Sequence, residues 1–370
     1  MNRNTKWALM VIGVALLTVF APRGAGAQSA LERLSVHGHL TQAFGMSERN
    51  QYLGIPETGT ADYRAAALLF RYAATDDDHI VLQFSHERFG RSPIVPEGAE
   101  LEVDWVFYQR DFGSATSLRV GKVPLPTGIF NEIRDVGTLL PFYRPPNVVY
   151  LEKGYTTEAL NGVVVSHTFA DGSPWSVGVD AYFGNWKYLQ YEGSEAEANK
   201  AFGGRVWVNT PVPGVRVGGG VQRFEASNIA AADPDATDDF FVWHTAVDAD
   251  VGPLVVRGEF VEAQFFQDFG GHYRGYYAQV GVRATPKLMV MGQAERSDLR
   301  FPLFVPQLLI VETEFDRDLA AGISYAFLPT LVVKAEHHWY RGYNTEDPQA
   351  DIMGPPAKTM YTLLSVSVSY

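Results

Sequence analysis

Six charged side chains, Glu132, Arg134, Asp135, Arg144, Glu152 and Lys153, fall within one stretch, Thr127 to Thr157, that follows no strand period. Such a set of charges can set up a field. If this loop folds into a water-filled space, Glu132 and Asp135 would face basic groups across it, and opposed charges across a constriction sort ions by sign and orient dipolar solutes. The run Val136 to Tyr143, with Pro141, Pro145 and Pro146 in and after it, suits packing against an inner wall better than a free external tip.

Other constellations offer less chemistry. His37 and His39 share one face of a strand, but no carboxylate or Cys set stands at ligand spacing beside them. His337 and His338 point to opposite faces of their strand. Ser166 and His167 are likewise adjacent and face apart, and no G-x-S-x-G elbow is present, so a nucleophile and base are not paired. Gly218-Gly219-Gly220 lies within a strand and reads as room for a bend, not as a phosphate cradle. No catalysis, cofactor or metal is expected.

The elements that must position the loop are strands. From Leu34 onward, segments of about ten residues alternate apolar and polar positions, about 16 in number, running from Leu34 to Met46 through Ser117 to Val123 and Ala159 to Phe169 to the last, Thr359 to Tyr370. The connections alternate in length. Short ones such as Asp76-Asp77-Asp78, Asp171-Gly172-Ser173 and Val251-Gly252-Pro253 carry hairpin residues; long ones include Glu48 to Asp62, Asn185 to Lys200, Ala226 to Asp239, Gln267 to His272 and Asp298 to Thr313. Leu364, Val366, Val368 and Tyr370 oppose Ser365, Ser367 and Ser369, and Leu331, Val333, Ala335 and Trp339 oppose Lys334, Glu336 and His338. Large aromatics gather beside the short turns, at Tyr72, Phe112, Phe169, Trp175, Phe327 and Tyr370, as an interfacial girdle would.

This pattern predicts an all-β fold: a transmembrane antiparallel β-barrel of about 16 strands, with short periplasmic turns, long external loops and an inward-folded third loop, residues 127–157, that narrows the lumen. No stretch after the N-terminus has the ~18 apolar residues of a spanning helix. Residues 1–27 have the order of a signal peptide: Arg3 and Lys6, the apolar run Trp7 to Ala21, then Ala25-Gly26-Ala27. The barrel would then occupy 28–370. Removing the leader takes away Arg3, Lys6 and Arg23 and no acid, so the formal charge of −12 becomes −15. That acidity argues against nucleic acid as a partner. With no cysteine, the chain has neither disulfides nor thiolate chemistry.

Two features resemble known proteins. Leu364 to Tyr370, amphipathic with a terminal aromatic, looks like the C-terminal signal read by the barrel assembly machinery. Arg119-Val120-Gly121-Lys122-Val123-Pro124-Leu125-Pro126-Thr127-Gly128-Ile129 is similar to the passage before the third external loop of the phosphate-selective (O/P-type) porins and related diffusion channels. The resemblance implies a homotrimeric channel of the Gram-negative outer membrane, set in lipid and passing small hydrophilic solutes, with the constriction at Glu132, Arg134, Asp135 and Arg144. The anion-selective members line the lumen with a basic ladder, and here the chain departs. By parity the wall holds Arg71, Arg119, Arg205, Arg216, Arg257 and Lys334, but also Glu87, Glu102, Asp104, Asp180, Glu259, Glu295 and Glu336. Phosphate selectivity is therefore not expected. The rival readings are a barrel enzyme and a closed structural or adhesive barrel that binds partners through its external loops.

Overall fold

The computed structural model describes residues 32–92, 101–150, 157–189, 195–227, 237–304 and 308–370. The expected leader and Glu152 and Lys153 lie outside them. Eighteen strands follow in chain order: β1 (Leu34–Ser47), β2 (Gln51–Tyr52), β3 (Thr60–Ala73), β4 (Asp78–Phe89), β5 (Glu102–Phe112), β6 (Thr116–Pro124), β7 (Ala159–Phe169), β8 (Ser176–Leu189), β9 (Glu195–Asn209), β10 (Val215–Ser227), β11 (Thr237–Val251), β12 (Leu254–Phe265), β13 (Gly271–Arg283), β14 (Leu288–Phe304), β15 (Leu308–Leu328), β16 (Leu331–Gly342), β17 (Thr345–Asp347) and β18 (Ala357–Ser369). All but β2 and β17 form one closed antiparallel barrel of 16 strands, in which sequence neighbours pair and β1 joins β18. Closure leaves no edge, so each barrel strand has a partner on both sides, as a sheet in hydrocarbon requires.

The seam shows how the C-terminus takes part. The Tyr370 amide donates to the Gly38 carbonyl at 3.0 Å and the Gly38 amide to the Tyr370 carbonyl at 3.2 Å. A Cβ at Gly38 would sit 2.1 Å from the Tyr370 ring, so only glycine lets that ring lie across β1.

The alternation of side chains gives the barrel an apolar outside and a polar inside. Leu364, Val366 and Val368 are exposed, while Ser365 and Ser367 are buried inward; Trp339 is exposed, while Lys334, Glu336 and His338 are buried. Beside the short turns, Phe112, Phe169, Trp175, Phe327 and Tyr370 are more than half exposed. A soluble sheet would hide such residues, and their exposure around the whole cylinder is what a lipid-facing belt requires.

Four expected connections are corrected. Strands β8 and β9 run to Leu189 and from Glu195, β10 and β11 to Ser227 and from Thr237, and β14 and β15 to Phe304 and from Leu308. Much of what read as loop in Asn185 to Lys200 and Asp298 to Thr313, and both ends of Ala226 to Asp239, is strand extending past the apolar belt. Its outward positions carry ion pairs such as Arg223–Asp239, at 2.8 Å, in place of aliphatic side chains, so the apolar period fades before the ladder ends. The Gln267 to His272 connection is short, a 3-10 turn Gln267–Phe269 followed at once by β13.

The small strands β2 and β17 were not expected. They pair with each other and tie the first external loop to the last. Glu346 clasps this joint, accepting from the Gly54 amide at 2.6 Å and the Ser92 hydroxyl at 2.6 Å. Tyr52 is thereby buried in the external mouth, its ring stacked on Tyr340 at 4.0 Å.

Candidate functional site: the loop across the lumen

Between β6 and β7, residues 125–150 enter the barrel. Prolines 124, 126, 141, 145 and 146 remove ladder donors and fix φ, so the strand cannot continue. Leu125, Phe130, Phe142 and Val148 are at most 2 % exposed, and burying an apolar side chain of this size favours the packed state by roughly 2 kcal/mol. Among its described residues the helical pieces are short, a 3-10 turn Asn131–Ile133 and a single α-turn, α1 (Asn147–Tyr150). The base is closed by Asn131, whose side-chain amide donates to the carbonyls of Leu125 at 2.8 Å and Glu158 at 2.9 Å.

The loop crosses to the far side. The Val148 amide donates to Glu295 on β14 at 3.0 Å, and Tyr273 on β13 donates to the Val148 carbonyl at 2.8 Å. In this ring β14 is eight strands from β6 in either direction, which is diametrically opposite. Further along, the Tyr143 amide donates to Glu336 at 2.8 Å, and Lys334 donates to the carbonyls of Gly137 and Phe142, the latter at 3.0 Å. Thr138 reaches Ser369 on β18, Oγ1 to Oγ 3.1 Å. Glu259 on β12 accepts from the Ile129 amide at 2.8 Å, from Tyr277 at 2.6 Å and from Tyr150.

The glycines of the Arg119 to Ile129 passage have separate reasons. Gly121 has φ +136°, and a Cβ there would lie 2.3 Å from the Val106 carbonyl oxygen. Gly128 has φ +56°, and a Cβ would meet the Tyr150 hydroxyl at 2.2 Å and Glu259 at 2.6 Å. Any side chain at Gly128 therefore displaces the Glu259 anchor.

The expected constriction residues separate into three settings. Glu132 lies between Arg119, at 3.3 Å, and Arg205, at 2.9 Å, and Arg205 also holds Asp180 at 2.9 Å. Burial opposes ionisation of Glu132, but Arg205 and Arg119 overcome it and hold its carboxyl below the usual range. Its side chain stays 35 % exposed, so solvent inside the barrel reaches this cluster. Asp135 does not meet Arg119, Arg205 or Arg216. It accepts from the Gln83 amide at 2.9 Å, and the same amide donates to Asp104 at 3.1 Å. Burial, with Asp104 beside it, pushes the Asp135 carboxyl up. Arg134 and Arg144 belong to the packing of the loop: Arg134 donates to the Tyr150 carbonyl at 3.3 Å, and Arg144 lies 4.3 Å from the Phe89 ring centroid and donates to Tyr63.

The wall residues divide in the same way. Lys334, Glu336 and Glu259 anchor the loop. Arg216 and Arg257 share Asp248, at 2.9 and 3.0 Å, and Arg216 lies over Trp207. Arg71 is exposed near the periplasmic end of β3, opposite inward-facing Val81, and Glu102 is exposed opposite Ser85. Sequence reasoning missed Gln83 and Tyr150, and it did not see that Asp104, Asp135 and Glu158 bring carboxylate oxygens within 4.8 Å of one another. A register shift at Gln83/Phe84 turns Asp104 toward Gln83, and a bulge leaves no mark in an alternation pattern. Arg134, 3.9 Å from Glu158, supplies countercharge.

His37 and His39 both face the lumen, opposite Leu69 and Ala67. His338 points inward to Asp318 at 2.7 Å, and His337 points outward to Thr362 at 2.8 Å. Ser166 donates to Asp180 at 2.6 Å, whereas His167 sits on the outer face with Thr116.

No protein-family model matches the chain, and no curated protein matches it. Solved structures do. The chain is similar to OmpF of Salmonella typhi, solved with daunomycin, at TM-score 0.63 and 10% identity, covering 91% of this chain and 97% of that one. It is also similar to OmpT, an outer membrane protein of Vibrio cholerae, in a form with loop L8 deleted, at TM-score 0.59 and 11% identity over 91% and 99% of the two chains. The outer membrane channel DcaP of Acinetobacter baumannii gives TM-score 0.56 and 10% identity over 91% and 97%. At these identities the likeness is one of fold: a closed 16-stranded antiparallel barrel of the kind porins have.

Proposed function

We propose that this chain is a diffusion channel of the Gram-negative outer membrane, passing small hydrophilic solutes and ions through a lumen that residues 125–150 narrow. The observation that carries this reading is solvent reaching Glu132 and Arg216, 35 % and 39 % exposed, inside a cylinder whose outside is apolar. Water and charge within, and aliphatic side chains without, describe a pore set in lipid. The mechanism is sieving past an anchored loop, with electrostatic filtering by Glu132 against Arg119 and Arg205. Because acidic and basic groups alternate along the wall, phosphate preference is not part of the proposal. Cleavage of residues 1–27, delivery by the C-terminal strand to the assembly machinery, and a homotrimer complete it. The separation of Ser166 from His167 favours transport over an enzymatic role.

Planar bilayers with purified, folded protein test the reading. Discrete, lasting conductance steps are expected. A folded barrel that inserts without conducting would overturn the channel and leave the closed, adhesive barrel.

A further inference from the structure

On the outer face, near the external end, three cations stand side by side on neighbouring strands. Arg317 of β15 lies opposite Arg341 of β16, and Arg341 lies opposite Lys358 of β18. All three are exposed. Like charges directly opposite in an antiparallel pair are unfavourable, and at a strand spacing of ~4.8 Å the row is only about 10 Å wide. Other outward cations of this rim are paired: Arg296, opposite Arg317 on β14, is held by Asp298 at 2.9 Å and Glu314 at 3.3 Å, and Arg223 and Arg274 sit on Asp239 and Glu262. Among the described residues, Arg317, Arg341 and Lys358 have no ion-pair partner. Just toward the periplasm, the same strands expose Leu319, Ile323, Trp339 and Leu364, each more than 40 % accessible.

We propose that Arg317, Arg341 and Lys358 bind the phosphate groups of an anionic lipid in the outer leaflet, whose acyl chains lie along the apolar strip below. Two arginines present forked donors and the lysine a third charge, enough to hold one or two phosphate groups at the depth where headgroups meet the barrel. A lipid fits better than a soluble anion, because the row adjoins surface that must be covered by hydrocarbon. The inference rests on the membrane reading of the exterior but not on conduction.

The test is titration calorimetry of the full-length folded barrel, in neutral detergent, with diphosphoryl lipid A, its dephosphorylated form, or inorganic phosphate. The native barrel is expected to bind the diphosphoryl lipid, more weakly as salt rises. Arg317→Gln/Arg341→Gln/Lys358→Gln is expected to lose roughly 100-fold in affinity, taking about fivefold per cation. Arg317→Lys/Arg341→Lys/Lys358→Arg should keep most of it, and Arg223→Gln, which breaks a neutral rim pair, should change little. Unchanged binding by the glutamine variant would overturn the proposal, as would equal affinity for the dephosphorylated lipid, or inorganic phosphate that binds as tightly as the lipid. Loss of self-association by the glutamine variant with lipid affinity intact would assign the row to contact between copies instead. Bilayer conductance, measured separately, reports on the channel and leaves this result standing either way.

Discussion

A barrel carrying Lys334→Met is expected to lose ~3 kcal/mol of stability, and its pore is expected to open wider and with more noise. Lys334 is 2 % exposed and donates to two loop carbonyls, Gly137 and Phe142, while its neighbour on the same face, Glu336, takes the Tyr143 amide. Methionine keeps most of the volume but leaves both carbonyls without their donor and removes a positive charge near Glu336, which keeps His338 at 3.6 Å. Removing one member of such a buried set costs roughly 3–5 kcal/mol, and loop relaxation places this case at the low end. The segment 137–143 then has less to hold it to β16. Urea unfolding followed by gel mobility, and single-channel recording, check the two halves. Native midpoint and native conductance together would show that the contacts of Lys334 do not fix the loop.

Glu132→Gln is expected to shift selectivity toward anions. The native carboxylate stands between Arg119 and Arg205, and only Arg205 has a second acid, Asp180, in reach. Without Glu132, one net positive charge appears beside the solvent path. A unit charge acting at ~10 Å through water is worth about 0.4 kcal/mol, which disfavours a cation and favours an anion by roughly twofold each. The anion-to-cation permeability ratio should therefore rise about two- to fourfold at low salt, and less at high salt. Reversal potentials in a salt gradient measure it. Asp135→Asn is the internal contrast: its carboxyl faces Gln83 and Asp104, away from Arg119 and Arg205, so its effect on selectivity should be smaller. Equal shifts for the two variants would contradict the placement of Asp135.

The fold was legible because the period-2 pattern states it strand by strand. The serines and valines of β18 and the Lys334, Glu336, His338 face of β16 need no partner in the sequence to declare inside from outside. The lumen position of Glu259, Glu295 and Glu336 was readable on the same grounds. Their use was not. The Tyr143 amide meets an acid 193 residues away, and the Val148 amide one 147 residues away. No local pattern encodes which backbone donor a wall carboxylate will accept. Arg134 and Arg144 lie on the inward loop as expected, but their contacts were unreadable for a related reason. A charged residue in a loop bound for water reads as a solvated group, whereas Arg144 covers Tyr63 and Phe89 with its guanidinium plane.

The account depends on residues 125–150 lying across the lumen, with Thr138 against β18. The chain has no cysteine, so Thr138→Cys/Ser369→Cys introduces a single pair, at positions whose hydroxyl oxygens are 3.1 Å apart. Mild oxidation of the barrel assembled in membranes, read as the fraction cross-linked on a reducing-sensitive gel, is the most direct measurement. Near-complete cross-linking is predicted. Two free thiols, with the cysteine at 138 labelled by a reagent confined to the external solution, would mean that the loop stands outside the barrel.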